Sequence, residues 1–393
     1  MRFPEFDGEW EQVNLGECSI SLDYGMNAAA KSYDGINKYI RITDIDEYSS
    51  RYKSENPVSP SGNIDEKYLV GENEILFART GASTGKSYLY HNDDGKIYFA
   101  GFLIRAKIKN QYNSKFIFSQ TQTEKYNKWV QLMSMRSGQP GINSQEYSSF
   151  KFFMSSTKAE QDKIASLLSL IDKRIYTQNK IIENLKTQML GLQEKIFRQK
   201  IKFKDSKRKD FPLWISKKGD ELFESVSNKN HNSDLPILAI TQDKGAIPRD
   251  LIDYQITVTE RSIESYKVVE IGDFIISLRS FQGGIEHSDY KGICSPAYII
   301  LRNKIEIAQN FYKYYLKNPD YIKLLNRKLE GIRDGKMISF GYFAEIELPF
   351  PIIEEQKRIA SFLRKFDLKI QTEKDILEQL NKQKQHLLQQ MFV

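Results

Sequence analysis

The chain has 393 residues, 40% hydrophobic and 12% aromatic, which is enough for two or three domains with real cores and too apolar for a disordered chain. Its formal net charge of +7 is a mild bias toward polyanions. Cys18 and Cys294 stand at non-corresponding places and suit a reducing compartment better than a disulfide framework. The opening stretch MRFPEFDGEW is charged and lacks an apolar core, and no run approaches the ~20 apolar residues of a membrane span. A cytoplasmic chain without signal peptide or membrane anchor is expected.

The chain begins with Phe3-Pro4, Trp10 and Leu15-Gly16. A strand-like run, Tyr39 to Ile42, precedes polar turn residues. Gly71 then leads through an apolar strand to Arg79 and the loop TGASTGK, Thr80 to Lys86. Strand patterning follows around Ile97 to Ile108, and an aromatic-rich helical segment runs from Ser114 to Leu132. A glycine-containing loop from Arg136 to Asn143 and a last strand, Phe150 to Phe153, close the half.

The next stretch, Lys158 to Lys200, carries Ile164, Leu168, Ile171, Ile175, Gln178, Ile182 and Leu185, and continues through Met189, Leu192 and Ile196. Steps alternating between four and three are the seam of a two-helix coiled coil, roughly 50 Å long.

A charged linker, Lys200 to Asp210, then leads to a second passage through the same layout. Phe211-Pro212, Trp214 and Lys218-Gly219 repeat the entrance, and Ile237 to Ile240 repeats the first strand. Gly272-Asp273 leads to Arg279 and the loop SFQGGI, Ser280 to Ile285. A strand at Ala297 to Arg302, a helical segment at Ala308 to Leu329, a loop at Gly331 to Met337 and a strand at Ile346 to Phe350 follow. From Ile353 a second long helix carries Ile359, Leu363, Phe366, Ile370, Glu373, Leu377 and Leu380. Glu160-Gln161, Ile164-Ala165-Ser166, Leu168, Asp172 and Ile175 recur as Glu355-Gln356, Ile359-Ala360-Ser361, Leu363, Asp367 and Ile370, at a constant offset of 195. Identity at one fixed offset means duplication. Gln178 and Glu373 are equivalent polar interruptions near mid-helix, so in an antiparallel pair they should lie close together and fix the register.

Several chemistries lack their residues. Gly81 stands four positions before Gly85, where a phosphate-cradling loop needs five, and Lys86-Ser87 leads into strand patterning, not a helix. His91, His231, His287 and His386 show no metal-ligand spacing. No dinucleotide fingerprint follows a strand, and the Asn/Asp-Pro-Pro-aromatic tetrapeptide of amino-methyltransferases is missing. No residues are arranged for general acid–base or nucleophilic work.

The glycine loops offer different chemistry. Arg79, Thr80, Ser83 and Lys86 stand in one, and Arg279, Ser280, Gln282 and Gly283 in the other. The closing loops add Arg136, Gln139 and Asn143, then Arg333 and Lys336. Glycine lets backbone N–H groups approach phosphate, while Arg and Gln can read base edges in pairs of hydrogen bonds. The same slots are polar or basic in both copies, which points to DNA.

These residues together resemble the specificity subunit of type I restriction–modification systems, over essentially the whole chain. The carriers are Phe3-Pro4…Trp10 with Phe211-Pro212-x-Trp214, and Gly71…Arg79-Thr-Gly-Ala…Gly85-Lys86 with Gly272-Asp273…Arg279-Ser-Phe-Gln-Gly-Gly284. Ser137-Gly-Gln-Pro-Gly-Ile-Asn143, Ser295-Pro-Ala-Tyr298 and the two helix openings, Glu160-Gln-x-Lys-Ile-Ala165 and Pro351-x-x-Glu-Glu-Gln-Lys-Arg-Ile-Ala360, complete them. One departure is Ser155 to Lys158, where the family's proline-rich lead-in is absent.

The resemblance implies an α+β fold: two similar mixed α/β target-recognition domains, residues 1–157 and 201–352, separated by an antiparallel two-helix coiled coil of residues 158–200 and 353–393. It implies a non-catalytic subunit in which each domain reads half of a bipartite, asymmetric double-stranded DNA target. The helices would set the spacer and dock two methyltransferase subunits, and restriction subunits would be recruited. S-adenosylmethionine, ATP and Mg²⁺ would be used by those partners and none bound by this chain. The alternative is a duplicated coiled-coil scaffold whose domains bind protein.

Overall fold

A computed structural model describes residues 2–47, 49–135, 139–231, 234–252, 263–327 and 338–392. The chain divides into two compact units: Met1–Ile181 with Glu373–Val393, and Ile182–Thr372. The division passes through both long helices.

In chain order the first unit contains β1 (Trp10–Asn14), α1 (Leu15–Cys18), β2 (Ser19–Tyr24), β3 (Ala30–Ser32), β4 (Lys38–Ile40), β5 (Val58–Pro60), β6 (Glu74–Ala78), β7 (Ser87–Leu89), β8 (Ile97–Phe99) and β9 (Leu103–Ile108). Then come α2 (Ser114–Gln120), α3 (Glu124–Ser134), α4 (Ser144–Ser148), β10 (Lys151–Ser155) and the start of α5 (Lys158–Phe197). The central antiparallel sheet has the order β2-β9-β6-β7. Every residue of β6 is buried, because both faces of the sheet are covered. Ile75 and Phe77 face a core with Phe116, Tyr126, Phe150 and Leu168, while Leu76 and Ala78 face a second with Ile40, Tyr52 and Phe99. A strand buried on both sides reads as a continuous apolar run, as this one does.

The second unit contains β11 (Ile215–Lys218), α6 (Gly219–Leu222), β12 (Phe223–Val226), β13 (Leu238–Thr241), β14 (Gly245–Pro248), β15 (Lys267–Val269), β16 (Phe274–Ile276), α7 (Ser280–Gly283), β17 (Glu286–His287), β18 (Gly292–Cys294) and β19 (Ile299–Asn303). It continues with α8 (Gln309–Tyr315), α9 (Pro319–Arg327), α10 (Phe340–Ala344), β20 (Glu347–Phe350) and α11 (Ile353–Met391). Its sheet order, β12-β19-β16-β17, repeats the first.

Three segments are more broken than the sequence suggests. Ser114 to Leu132 is two helices, because the Thr123 hydroxyl accepts the Tyr126 N–H at 3.2 Å and starts α3 afresh. Ala308 to Arg327 is likewise two, with Pro319 opening α9, and the expected continuation to Leu329 lies outside the described residues. Ile97 to Ile108 turns at Gly101, whose N–H donates to the Met26 carbonyl at 2.8 Å. The long helices begin at Lys158 and Ile353, as the sequence indicates.

The repeated Glu-Gln at each helix opening ties the helix to its unit. Glu160 is fully buried and accepts from Trp10 Nε1 at 3.3 Å, Ser155 Oγ at 2.5 Å, and Arg2 Nε and Nη2 at 2.7 and 2.8 Å. Gln161 accepts the Asn113 N–H at 3.0 Å and donates to the Ser155 carbonyl at 2.9 Å. In the second unit Glu355 accepts from Trp214 Nε1 at 2.9 Å, and Gln356 accepts the Ala308 N–H at 2.9 Å and donates to the Pro351 carbonyl at 2.7 Å.

The helix ends complete the pattern crosswise. Phe392, at the end of α11, packs on Phe116 and Trp10 of the first unit, with ring centroids 5.2 and 6.2 Å away. Its equivalent Phe197, at the end of α5, packs on Phe311 and Tyr315 of the second, at 5.6 and 5.3 Å. Each unit is thus capped by the helix that starts in the other half of the sequence.

Within the first unit α5 and α11 pack through Ile171, Ile175 and Leu380, with Leu377 against them. Ile164, Leu168, Ile182, Leu185, Ile359, Leu363 and Ile370 are buried, and Phe366 is partly so. Gln178 and Glu373 meet: the Gln178 amide donates to the Glu373 carboxylate at 2.5 Å and to its carbonyl at 3.0 Å. Elsewhere along the same seam, Lys384 is 8% exposed and pairs with Asp172 at 2.7 Å.

Candidate nucleic-acid interface

In the first unit, one end of the central sheet gathers the loops that the sequence singles out. The Thr80 backbone bridges Gly141, the Gly81 N–H donates to the Pro140 carbonyl at 2.9 Å, and the Ile142 N–H donates to the Arg79 carbonyl at 2.9 Å. The TGASTGK loop and the closing loop are therefore one structure. The end of β2 and the turn at Gly101-Phe102 lie beside it, around a cleft of about 660 Å³ that includes Tyr24, Asn27, Arg41, Thr43, Arg79 and Phe102.

The loop's scaffold is tyrosine. Gly85 adopts φ +92°, and a Cβ there would meet Val130 at 2.5 Å. Its N–H donates to the Tyr147 hydroxyl at 3.1 Å and its carbonyl accepts from Tyr126 at 2.8 Å, while the Tyr147 hydroxyl donates to the Ala78 carbonyl at 2.6 Å. Burial pushes both phenols well above their ordinary range, so they remain neutral donors. The loop then enters β7 directly. No helix N-terminus follows Lys86, so the arrangement is not a phosphate-cradling nucleotide loop.

Arg79 lies over the Tyr24 ring, its guanidinium carbon 4.8 Å from the centroid, with one long hydrogen bond of 3.4 Å to the Gly101 carbonyl. The Tyr24 hydroxyl accepts from the Ser144 N–H and Oγ at 3.2 and 3.3 Å, which holds its pKa below the usual phenol value. Lys86 is 3.6 Å from Glu47. Thr80 and Ser83 are partly exposed and Gln139 is exposed. Asn143 serves the fold, since its Oδ1 accepts the Glu146 N–H at 2.9 Å as the cap of α4. Arg136 lies outside the described residues.

In the second unit Arg279 and Gln282 are exposed at the start of α7. Ser280 is 1% exposed and its Oγ accepts the Ser277 N–H at 2.8 Å, so it shapes the turn and has no surface to offer DNA. A Cβ on Gly283 would meet the Gln242 side chain at 2.9 Å. Gly284 adopts φ +83° with no room for a Cβ against the Leu316 carbonyl. Arg333 and Lys336 lie outside the described residues.

Sequence reading missed Tyr24, whose position at a strand end carries no signal of its own. It also missed a repeated, partly buried ion pair. Arg105 Nη2 donates to Asp23 at 3.1 Å and Nη1 lies 3.4 Å from Glu74; Arg302 binds Asp273 through Nε and Nη2 at 2.9 and 2.7 Å. An arginine inside an apolar strand was the available clue. Among the described residues no group of His, Cys, Asp or Glu could hold a metal ion, and no helix is long and apolar enough to cross a membrane.

Two copies of one unit, alike in sheet and helix attachment and different in their loops, define a duplicated recognition protein. Residues 8–187 and 203–382 each match the type I restriction modification DNA specificity domain. The chain belongs to that family, as a type I specificity subunit. It is 24% identical over 408 residues to the type I restriction enzyme MjaVIII specificity subunit of Methanocaldococcus jannaschii, covering 99% of this chain and 92% of that one. It is 27% identical over 247 residues to the putative MjaX specificity subunit of the same organism, covering 58% and 55%. The fold resembles that of the S subunit from M. genitalium, with a TM-score of 0.58 at 15% identity over 100% and 99% of the two chains. A chain from a structure of complex assembly and conformational transition in the type I R-M system matches with a TM-score of 0.53 at 15% identity, over 98% of each.

Proposed function

We propose that each compact unit reads one half of a bipartite, asymmetric DNA target and that α5 and α11 fix the number of base pairs left unread. The observation that carries this reading is the repeat itself. Sheet order and helix attachment are kept, while the loops at Arg79 and Arg279 diverge, as two readers of different half-sites on one scaffold require. A 40-residue helix is about 60 Å long, sufficient to bridge half-sites one duplex turn, about 34 Å, apart.

The chemistry belongs to partners. Two methyltransferase subunits dock on the two equivalent helices, and S-adenosylmethionine, ATP and Mg²⁺ serve them and the restriction subunits. The chain contributes recognition and no active site of its own. Ile181 and Ile376, equivalent by the repeat, are 37% and 42% exposed and suit apolar contact with such partners.

Exchange of residues 1–157 for those of another family member tests the reading, with methylated adenines mapped in a genome carrying the chimera. One half-site should change and the other should stay. A change in both, or in neither, overturns it. A protein-binding scaffold would instead show no DNA retention that falls steeply with salt.

A further inference from the structure

Arg79 is held differently from other arginines in and beside its sheet. Arg41 is bound by Asp44 through Nε and Nη2, both at 2.8 Å, and Arg105 by Asp23 and Glu74. Those guanidiniums are committed to carboxylates. Arg79 instead rests on the Tyr24 ring, and among the described residues no carboxylate forms an ion pair with it. Stacking fixes the plane of a guanidinium while leaving its edge donors free. The platform is itself fixed, because Ser144 donates to the Tyr24 hydroxyl from both N–H and Oγ. The stack forms a wall of the cleft at the loop end of the sheet, beside Phe102, which is 60% exposed. Among the described residues only Nη1 has a protein acceptor, the Gly101 carbonyl at a long 3.4 Å. A planar, oriented fork with its other donors unspent matches one base edge above others: guanine, whose O6 and N7 accept side by side in the major groove.

We infer that Arg79, oriented by Tyr24, reads a guanine in the half-site recognised by the first unit, and that Tyr24 is its positioning residue. This rests on the assignment of one half-site to each unit. A phosphate contact would need only charge, which a mobile lysine supplies. The stack spends an aromatic side chain and two hydrogen bonds on orientation, which matters for a pair of directed bonds to a base.

The test uses the full chain assembled with its methyltransferase partners on its mapped target. Each guanine of the first unit's half-site is replaced in turn by 7-deazaguanine, which pairs normally but lacks the N7 acceptor. One replacement should weaken wild-type binding by about 5- to 100-fold. The same replacement should have no further effect on Arg79→Ala. Tyr24→Phe keeps the ring and should keep the sensitivity. Tyr24→Leu should lose most of the guanine preference there and leave the other half-site's preferences unchanged.

The inference is overturned if Arg79→Ala weakens every duplex equally and lowers the salt slope by about one, the mark of a phosphate contact. It is overturned equally if no guanine sensitivity disappears with Arg79, or if that half-site has no guanine. Failure of the residue 1–157 exchange to alter one half-site would remove the half-site assignment itself, a result independent of the deazaguanine series.

Discussion

The two helix openings use the same Glu-Gln pair and the same tryptophan, yet their electrostatics are opposite. Glu160 is opposed by burial, but hydrogen bonds and charge from Arg2, with Ser155 and Trp10, hold its pKa below the usual carboxylate value. Glu355 has the indole and only the weaker charge of Lys202, with no ion pair among the described residues; burial dominates and raises its pKa. Phe3-Pro4 and Phe211-Pro212 correspond, so the position of Arg2 is held by Asp210 in the second copy. What the two openings share is the indole bond, the Gln bridge and the aromatic packing. Those parts form the attachment, and the charge on the glutamate is a local variable.

The largest expected effect comes from breaking what is shared. Trp10→Ala or Trp214→Ala should each lower unfolding free energy by about 2–4 kcal/mol in denaturant titrations, as loss of a packed aromatic does. A near-neutral result in either unit would show that the attachment differs there.

The glutamates should separate the copies by sign. Glu160→Gln removes the partner of Arg2 and disturbs two further donors, Ser155 and Trp10, and should cost about 1–3 kcal/mol. Glu355→Gln keeps an acceptor for Trp214 without the buried charge and should be neutral or stabilising at pH 8. Acidity removes both effects. Glu160's folded pKa is lowered, so its stabilisation is full above the unfolded pKa and disappears as pH falls through the folded value. Glu355's is raised, so its cost is full above the folded pKa and disappears on acidification toward the unfolded one. Thermal melts of both variants from pH 8 to pH 4 should therefore approach wild type from opposite sides.

A smaller effect is expected at the mid-helix layer. Gln178→Glu sets two carboxylates against each other and should cost about 1–2 kcal/mol at pH 8. Adding Glu373→Gln restores one donor and one acceptor and should recover most of the loss. Without that recovery, the pair would not be what fixes the register. Smaller still for stability, Ile181→Arg should leave the melt unchanged and reduce bound methyltransferase from two subunits to one, read by mass of the complex.

Much of this architecture was legible because it occurs twice. The 195-residue offset marked the helix openings, and the four-three steps marked the seam with Gln178 and Glu373 at its polar layer. The same repeat contained a clue that was harder to use. Glu160 and Gln161 marked the repeat, but nothing in their spacing shows that they are buried or which partners they meet. Helix breaks at Thr123 and Pro319 were hidden by continuous aromatic content, since a cap acts through one hydrogen bond that periodicity does not register. In the glycine loops, residue type identified polar surface but not its use. Ser280 and Asn143 spend their oxygens on the backbone, and Arg79 spends its plane on Tyr24, a residue 55 positions earlier in the chain. Such long-range pairing is not encoded in local spacing.

The central claim, one half-site per unit, is tested most directly by giving both positions the same reader. A chain in which residues 201–352 are replaced by a second copy of residues 1–157 keeps both helix openings and both Phe caps. Methylated adenines mapped genome-wide should then lie in a symmetric target, an inverted repeat of the first half-site. An asymmetric target, or one unchanged from the parent, would contradict the account.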